Sequence, residues 1–533
     1  MPDANALAAK AAISDPLLAA MKAELDRSKA HLKMENVEAP YYIDYRLTDA
    51  DEYNVEAAYG ALRTNTHLHS RYVRVTVRVG DYKLDSYFGP GIGTVNLAPI
   101  EDNAESLRWQ LWEATDQAYK IASQALAAKR ATLSQYAAGQ PFDDFAHATP
   151  VQAIEPLATI SFDPDAWEKT AEEASALYRD DPKIELLSSV VRCWAMNQYF
   201  VNTEGTVTRH GYTACLVDTT GTTQAPDGMR LSDDVPYRSA TPQDLPSEQQ
   251  IVADTGKMLA RLKALREAPT VDDDYQGPVL FSPDAAAGVF DSLIGASVLG
   301  RRPRPGDSAR TVGPFASSYK TRVLPAFVSV TDDPTMAAFQ EQQLQGHYTI
   351  DDEGVAAAKV PVIVDGILAN YLIGREPIQD FPESNGHGRA GPAQPPTPSI
   401  GVLEVESKNP LTPDAMKKKL IELCQQDNLA YGYYLAETAG EQNLAPRLLY
   451  RVYVKDGHEE LVRGAVLNQL DARALRNGLV ALGNDPVVSN REGAVPRTII
   501  APSALIDDIE VKRTDQKNAK LPEYPPPDLG ATK

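Results

Sequence analysis

Few residues of this chain combine the types and spacing that catalysis or metal binding needs. His67 and His69 are the one close pair among eight histidines, and their spacing places both on one face of a strand. The pair suits a metal, but no acidic or cysteine ligand is expected to accompany it nearby. Ser297 departs by one residue from the GxSxG spacing of a nucleophile elbow and lies in a predicted helix. The segment 89–93, Gly-Pro-Gly-Ile-Gly, lacks the lysine of a phosphate loop, so a strand-ending turn is favoured.

Acidic and sulfur-containing residues are also sparse in patterns that signal chemistry. Asp332-Asp333 and Asp351-Asp352-Glu353 are typical of turns, since no calcium-loop spacing follows them. Cys193, Cys215 and Cys424 are widely spaced and form no CxxC pair. Because their number is small and odd, they argue against a disulfide framework and against a cysteine-rich zinc site. Cys193 ends an apolar run and is predicted to be a packed thiol. The residues alone predict neither a metal nor a cofactor.

The composition excludes several classes of partner. The chain has 533 residues and a formal net charge of -21, so its surface repels phosphate backbones. The basic runs 301–304 and 417–419 are short and typical of solvated surface, which argues against nucleic acid as a partner. No apolar stretch approaches the ~20 residues of a membrane span, and Met1–Ser14 has no signal-peptide core. We expect a cytoplasmic protein without membrane contact; an exported chain whose leader had been removed would read the same.

Length and hydrophobic periodicity predict an α+β chain with two domains. Residues 1–240 are predicted to form an α/β domain in which long helices, one of them over 104–136, pack on a sheet. The clearest strand is Arg71–Val79, where valines alternate with polar residues. A turn at Gly80-Asp81 and a second strand over Tyr82–Phe88 are expected to follow.

The second half of the chain is predicted to be richer in strands. Residues 250–515 are expected to form a mainly β domain with mixed, barrel-like sheets, and 516–533 an extended tail. Thr219–Gln250, rich in Pro, Asp and Ser, is predicted to be a linker or a long surface excursion. Two-residue turns at Asp365-Gly366 and Asp456-Gly457 each predict a β-hairpin.

Residues 275–515 resemble the TldD/PmbA family, also called the modulator-of-gyrase family. The order and spacing of several blocks carry the likeness, although none is diagnostic alone. In chain order these are Val279–Asp284 with the helix to Gly300, Phe327–Thr335, Asp351–Val355, Val364–Leu368, Glu383–Arg389, Val462–Ala465, Gly483–Asp485 and Ala501–Ile506. The first half resembles the family only in its α/β pattern.

In the peptidase branch of that family, a helix carries His-Glu-x-x-x-His and a late cysteine completes the zinc site. Alignment without gaps places Asp291 and Ala296 at the histidine positions and Ser292 at the glutamate. The late cysteine is expected between Asp485 and Val495, where the sequence has none. Alanine cannot ligate a metal and serine is no general base at neutral pH, so the resemblance implies a chain without metal or catalytic residues.

The loop Glu383–Arg389 is the predicted peptide contact, through Asn385, Gly386, His387 and Arg389. Its glycines and asparagine let a backbone approach closely, and an arginine holds a carboxylate or a carbonyl. A plain flexible loop before a proline run is the alternative.

The resemblance implies a non-catalytic subunit of a heteromeric metallopeptidase that shapes a cavity for unfolded or small peptides. Its implied partner is a metal-bearing TldD-like subunit, or a second copy of itself. A stand-alone homodimeric peptide-binding protein is one alternative. Another is an active peptidase that brings together Asp291, His347 or His387, so enzymatic activity stays open.

Overall fold

The computed structural model describes residues 14–135, 142–271, 275–304, 307–440 and 443–514. The predicted tail at 516–533 lies outside these ranges, as does nearly all of Met1–Ser14. No helix within them has the length and apolar character that crossing a bilayer requires. The architecture is α+β with curled, mixed sheets, which confirms the predicted fold class.

A seven-stranded sheet dominates the first half of the chain. Its strands follow the order β3-β2-β1-β5-β6-β4, and β7 pairs with a separate stretch of β6. Long runs of polar and β-branched residues form its central antiparallel strands. Alternate side chains along each of these strands face the helices. The strands are β1 (Pro40–Ala58), β2 (Ala61–Val79), β3 (Thr94–Leu97), β4 (Gln152–Ile154), β5 (Ile184–Asn202), β6 (Val207–Gln224) and β7 (Arg230–Ser239).

Four helices accompany this sheet: α1 (Pro16–His31), α2 (Ala104–Leu133), α3 (Pro164–Ala176) and α4 (Glu248–Glu267). Each begins at a side chain that accepts a backbone N–H, as Asp15 does for α1. The apolar stripes of α1 and α2 cover one face of the sheet and bury Met21, Leu111 and Val75 completely. The helix predicted over 104–136 is confirmed.

Two predictions for the first half are wrong. After Gly80 the chain makes a turn, bridges back at Asp85 and forms a 3-10 turn at Gly89–Ile92 instead of a second strand over Tyr82–Phe88. The expected linker at 219–250 holds the end of β6, all of β7 and the start of α4. Its Thr, Asp and Ser side chains suit a strand whose outer face is polar, so low hydrophobicity concealed the strand.

The second half contains two larger sheets. One has the order β13-β12-β9-β16-β23-β22, and the other β19-β18-β17-β8-β24-β20, with β21 also on β24. Parallel pairs, β16 with β23 and β17 with β8, occur beside antiparallel ones. The strands are β8 (Tyr275–Phe281), β9 (Val328–Asp332), β10 (Ala338–Phe339), β11 (Gln342–Gln343), β12 (Val360–Val364), β13 (Ile367–Leu368), β14 (Gly388–Arg389), β15 (Thr397–Pro398), β16 (Val402–Ser407), β17 (Tyr431–Thr438), β18 (Pro446–Tyr453), β19 (Glu459–Val462), β20 (Ala465–Asn468), β21 (Leu479–Leu482), β22 (Val487–Arg491), β23 (Arg497–Ala501) and β24 (Ala504–Arg513).

Three helices belong to this half: α5 (Pro283–Leu293), α6 (Pro413–Gln426) and α7 (Ala472–Gly478). The sheets and α5 share one core, in which Phe281, Phe290 and Leu403 are fully buried. Both predicted hairpins are present. At Asp365-Gly366 each residue has a positive φ, 52° and 77°, as a two-residue type I′ turn requires.

One cysteine prediction is corrected. Cys193 and Cys215 lie directly opposite each other on β5 and β6 and form a disulfide, with Cα atoms 4.1 Å apart. Only Cys424 is a free, packed thiol among the three. Strand register brought the pair together, and spacing in the sequence does not reveal register.

Candidate functional site

A cavity of about 1670 Å³ lies between the sheet of the first half and the strands of the second. It exceeds the roughly 300–1,000 Å³ of pockets for drug-sized ligands, so it has room for several amino-acid residues. The middle of β6, one face of β7, the start of α5 and the strand β22 contribute to its wall. Acidic and basic side chains line it in similar measure, in contrast to the acidic chain as a whole.

The wall contains a gap in the large sheet. On one side of β6, β4 pairs with Val207–Arg209 and β7 pairs with Cys215–Gln224. Between them, 210–214 has no strand partner on that side in the described part of the chain. All five residues of this segment, which we call the β6 gap, line the cavity. An unpaired strand edge presents backbone N–H and C=O groups that an extended peptide can complete.

A charged cluster lies at the His210 end of the β6 gap. Nε of Arg389 donates to Oδ2 of Asp352 at 3.0 Å, and His210 Nε2 lies 3.5 Å from the other carboxylate oxygen. The backbone N–H of Ala390 also donates to Asp352, at 2.7 Å. Burial opposes the ionised form of Asp352, but Arg389 and His210 together hold its pKa below the usual range. Asp352 is therefore an anion, and the hydrogen bond that it accepts from Nε holds Arg389 in place.

Arg389 has N–H groups that make no hydrogen bond among the described residues. Its side chain is 7% exposed and its Nη1 has no hydrogen-bond partner among the described residues. The guanidinium carbon lies 4.0 Å from the centre of the Tyr348 ring, which supports the flat face of the cation. Burial lowers the pKa of Arg389, but the charge and hydrogen bond of Asp352, together with Tyr348 and Tyr212, raise it overall, so the side chain is cationic. A buried guanidinium at a cavity wall with free N–H groups is suited to an anionic oxygen ligand.

Of the four predicted peptide-contact residues, Arg389 lines the cavity and the other three hold the loop in place. Asn385 donates to the Tyr371 carbonyl and accepts from the Ile373 N–H, both at 2.8 Å. His387 is fully buried, with Nε2 3.0 Å from Asp332. Gly386 has a φ of 75°, and a Cβ there would lie 2.3 Å from a backbone oxygen, so glycine is required. The loop is thus a packed support for Arg389.

The helix that carries the degenerate motif has the predicted start. Ser282 accepts the N–H of Ala285 at 3.1 Å, with proline in the first turn, as expected for an N-cap. Asp291 is buried and receives a two-point ion pair from Arg497, at 3.1 Å and 2.7 Å. Ser292 lies in the last turn of α5, and Ala296 in the 3-10 turn Gly295–Ser297 that follows.

The segment where the family has its late cysteine is next to this helix. Pro486–Glu492 contains β22, which pairs with β23, the strand that begins at Arg497. Asp284 at the start of α5 lines the same cavity as Ser489 and its neighbours. The two segments that the alignment compares with the family's metal motif are about 200 residues apart in sequence, and they meet here through the ion pair of Asp291 with Arg497.

In the part of the chain that the structure describes, metal ligands also do not converge at any other place. Within the described ranges, no group of three His, Cys, Asp or Glu side chains has a geometry that could hold a metal ion. His67 and His69 do face carboxylates, Asp51 at 2.5 Å and Asp49 at 2.6 Å, which corrects the expectation that no acid accompanies them. The acids belong to the neighbouring strand β1, so a search along the sequence misses them. Asp291, His347 and His387 each have a different partner: Arg497, the Pro334 carbonyl and Asp332.

The sequence also did not reveal Arg497, His210 or the burial of Asp352. Asp351–Gly354 is a turn, as predicted, but Asp351 and Asp352 are buried at 1% and 3% exposure. The one available signal was three consecutive acids beside a glycine, which solvent-exposed turns share. Buried partners such as Arg389 come from distant segments.

Comparison with known proteins gives a consistent result. Residues 274–513 match the family model described as the PmbA/TldA metallopeptidase C-terminal domain. A metalloprotease of Archaeoglobus fulgidus is 29% identical over 157 residues, 28% of this chain and 33% of its own length. This chain thus matches about a third of that relative.

The fold is shared with solved structures over most of the chain. TldE from Thermococcus kodakarensis superposes with a TM-score of 0.60 and 10% identity, over 92% of this chain and 100% of that one. A protein described as a modulator of DNA gyrase, from Thermotoga maritima, gives 0.59 and 17%, over 92% and 99%. At these identities the likeness concerns the fold.

Proposed function

Because the chain belongs to the TldD/PmbA family, we propose that it is a metal-free, non-catalytic subunit of a TldD/TldE-type metallopeptidase whose cavity binds unfolded or small peptides. The observation that carries this proposal is the ion pair between Asp291 and Arg497. It joins the two segments that the alignment compares with the zinc motif of the peptidase branch. A guanidinium paired with the carboxylate at the first motif position competes directly with a cation there.

The remaining motif positions support the same conclusion. Hydrolysis of an amide needs a metal that polarises it, or a positioned base and nucleophile. Ala296 has no ligand atom, and Ser292 has no base as its neighbour among the hydrogen bonds of the described chain. Ser489, Asn490 and Arg491 occupy the strand where a cysteine thiolate would be needed. Catalysis is therefore assigned to a partner.

The cavity supports the peptide-binding part of the proposal. Its volume and mixed charge suit a chain with varied side chains. The β6 gap offers main-chain hydrogen bonds, which do not depend on side-chain identity. The partner proposed is a metal-bearing TldD-like subunit; a homodimer that only binds peptides is the second candidate. A cytoplasmic location stays a prediction, and the Cys193–Cys215 disulfide is more typical of an oxidising compartment.

The proposal is tested by three measurements on the full chain. Elemental analysis after dialysis should find no stoichiometric zinc, and a peptide-library digest should show no cleavage by the chain alone. Affinity purification from the native source should recover a second chain bearing His-Glu-x-x-x-His, and adding that chain should produce chelator-sensitive cleavage.

Asp291→Asn is the matched variant for these assays, because it removes the carboxylate charge while keeping the side-chain shape. Cleavage by the isolated chain that a chelator abolishes and Asp291→Asn removes would overturn the proposal. Recovery of the chain only as a homodimer that binds peptides would favour the second candidate.

A further inference from the structure

We propose that the β6 gap and Arg389 form one site that holds the C-terminal end of a peptide, paired antiparallel to β6, with its terminal carboxylate on Arg389. This inference rests on the proposed peptide-binding function and adds which part of the peptide is held, and in which direction. Two independent observations carry it: an interrupted strand edge in the cavity wall, and a buried guanidinium with free N–H groups beside that edge.

The gap has the dimensions of a short peptide strand. Five residues, 210–214, separate the stretches of β6 that pair with β4 and with β7. On its other side, β6 pairs with β5 along this same stretch, and Met196 lies opposite Tyr212. The strand is therefore held firmly on that side. A peptide inserted here would continue a sheet that is already formed on three sides, which keeps the cost of ordering low.

The position of the cation sets the direction. His210 is the first residue of the gap and lies 3.5 Å from Asp352, which in turn holds Arg389. The anion-binding end is therefore at the start of the gap, whereas β6 runs away from it toward Cys215. A peptide whose carboxylate reaches Arg389 must run opposite to β6, as an antiparallel partner does.

Charge and packing favour a carboxylate over a neutral carbonyl. Asp352 takes only Nε of the guanidinium, which leaves N–H groups for a second acid. Tyr348 is fixed under the guanidinium by its hydroxyl, which donates to the Gly386 carbonyl at 2.9 Å, so the cation is preorganised.

The test uses a short, fluorescent, alanine-rich peptide in two forms. One has a free C-terminal carboxylate, and the other has a C-terminal amide. Binding to the full chain is followed by anisotropy, at one pH and salt concentration. We expect the acid to bind about tenfold more tightly or better, the usual effect of a charge-assisted hydrogen bond. Acetylation of the peptide N-terminus should change little, whereas N-methylation of alternate backbone amides should weaken binding.

Arg389→Met should abolish the preference for the acid, because it removes the charge and keeps an unbranched side chain. Lys257→Met is the matched control: it removes a cation that lines the same cavity and is 71% exposed, and it should keep the preference. If Arg389→Met fails to fold, His210→Gln takes its place, because the side chain of His210 is partly exposed. His210→Gln should reduce the ratio of the affinities for the acid and the amide.

The outcomes separate this inference from the proposed function. Equal binding of acid and amide by the unaltered chain would overturn the carboxylate site and leave peptide binding intact. An acid preference that survives in Arg389→Met, or is unchanged in His210→Gln, would also overturn it. If neither peptide binds, the proposed peptide-binding function fails together with this inference.

Discussion

Two regions, one beside the cavity and one in its wall, hold their charged groups in opposite ways. Where α5 meets β23, Asp291 and Arg497 satisfy each other through two contacts. Beside the β6 gap, Arg389 gives only Nε to Asp352 and retains free N–H groups. In the first, which we call the closed region, the two charged groups are fully used by each other. In the second, the open region, which lines the cavity, the cation has N–H groups without a partner among the described residues. Under the proposed function, the loss of chemistry and the binding of a peptide would therefore depend on different residues.

Breaking the closed region should have the largest effect. Asp291→Ala leaves Arg497 without its carboxylate partner, and removing one member of a buried pair costs about 3–4 kcal/mol. We expect urea unfolding to report this loss in the free energy of unfolding. The double variant Asp291→Leu with Arg497→Met should recover most of it. A loss below about 1 kcal/mol would mean that the pair does not hold this junction closed.

The disulfide crosslinks the sheet beside the open region, and its contribution to stability can be measured. Cys193–Cys215 crosslinks β5 to β6 where the β6 gap ends and β7 begins, with a sequence separation of 22 residues. A loop of that length corresponds to about 3 kcal/mol in the chain-entropy account. Replacing both cysteines with alanine should lower the free energy of unfolding by that amount. Thiol titration of the denatured, unreduced chain should find one free cysteine; finding all three free would refute the crosslink.

The acid Glu376, near Arg78 and Glu353, makes a pH prediction possible. Burial raises the pKa of Glu376 to about 7, partly opposed by Arg78. A raised pKa means that the folded state holds the proton more tightly, so this stability is full below about pH 4.5 and is lost as pH rises through 7. The unaltered chain should therefore lose roughly 3 kcal/mol over this window from Glu376.

Glu376→Gln is the matched variant, since glutamine imitates the protonated acid. No hydrogen bond of the Glu376 side chain occurs among the described residues, so the change should cost little. The stability of the variant relative to the unaltered chain should rise between pH 5 and pH 7.5. A constant difference across this range would place the titration of Glu376 outside the window.

The contrast between the two regions also shows how far sequence reasoning reaches. The cap at Ser282 follows from local residue types, and this prediction is confirmed. The helix expected to reach Gly300 ends instead at Leu293, and a 3-10 turn at Gly295–Ser297 follows it. The resemblance to the family also led to the right fold. These features depend on neighbours in the chain.

The rest depends on register and burial, which local patterns do not contain. Strand β7 was missed because Asp, Ser and Pro make it read as a loop. The pairing of Cys193 with Cys215, and of His69 with Asp49, requires the alignment of two strands. Asp352 reads as a turn residue until a distant arginine is placed against it. The open region was therefore visible in the sequence only as Arg389.

The smallest expected effect concerns the contact between the Tyr348 ring and Arg389. Tyr348→Phe keeps the ring 4.0 Å from the guanidinium and removes the hydroxyl that donates to the Gly386 carbonyl. The free energy of unfolding should fall by about 1 kcal/mol, because one buried acceptor loses its partner. Since the ring supports the cation, the acid preference of peptide binding should change less than threefold. Tyr348→Leu, which removes the ring as well, should reduce that preference further. If Tyr348→Phe and Tyr348→Leu affect binding equally, the hydroxyl and not the ring positions Arg389, and the open region depends on the loop's hydrogen bonds.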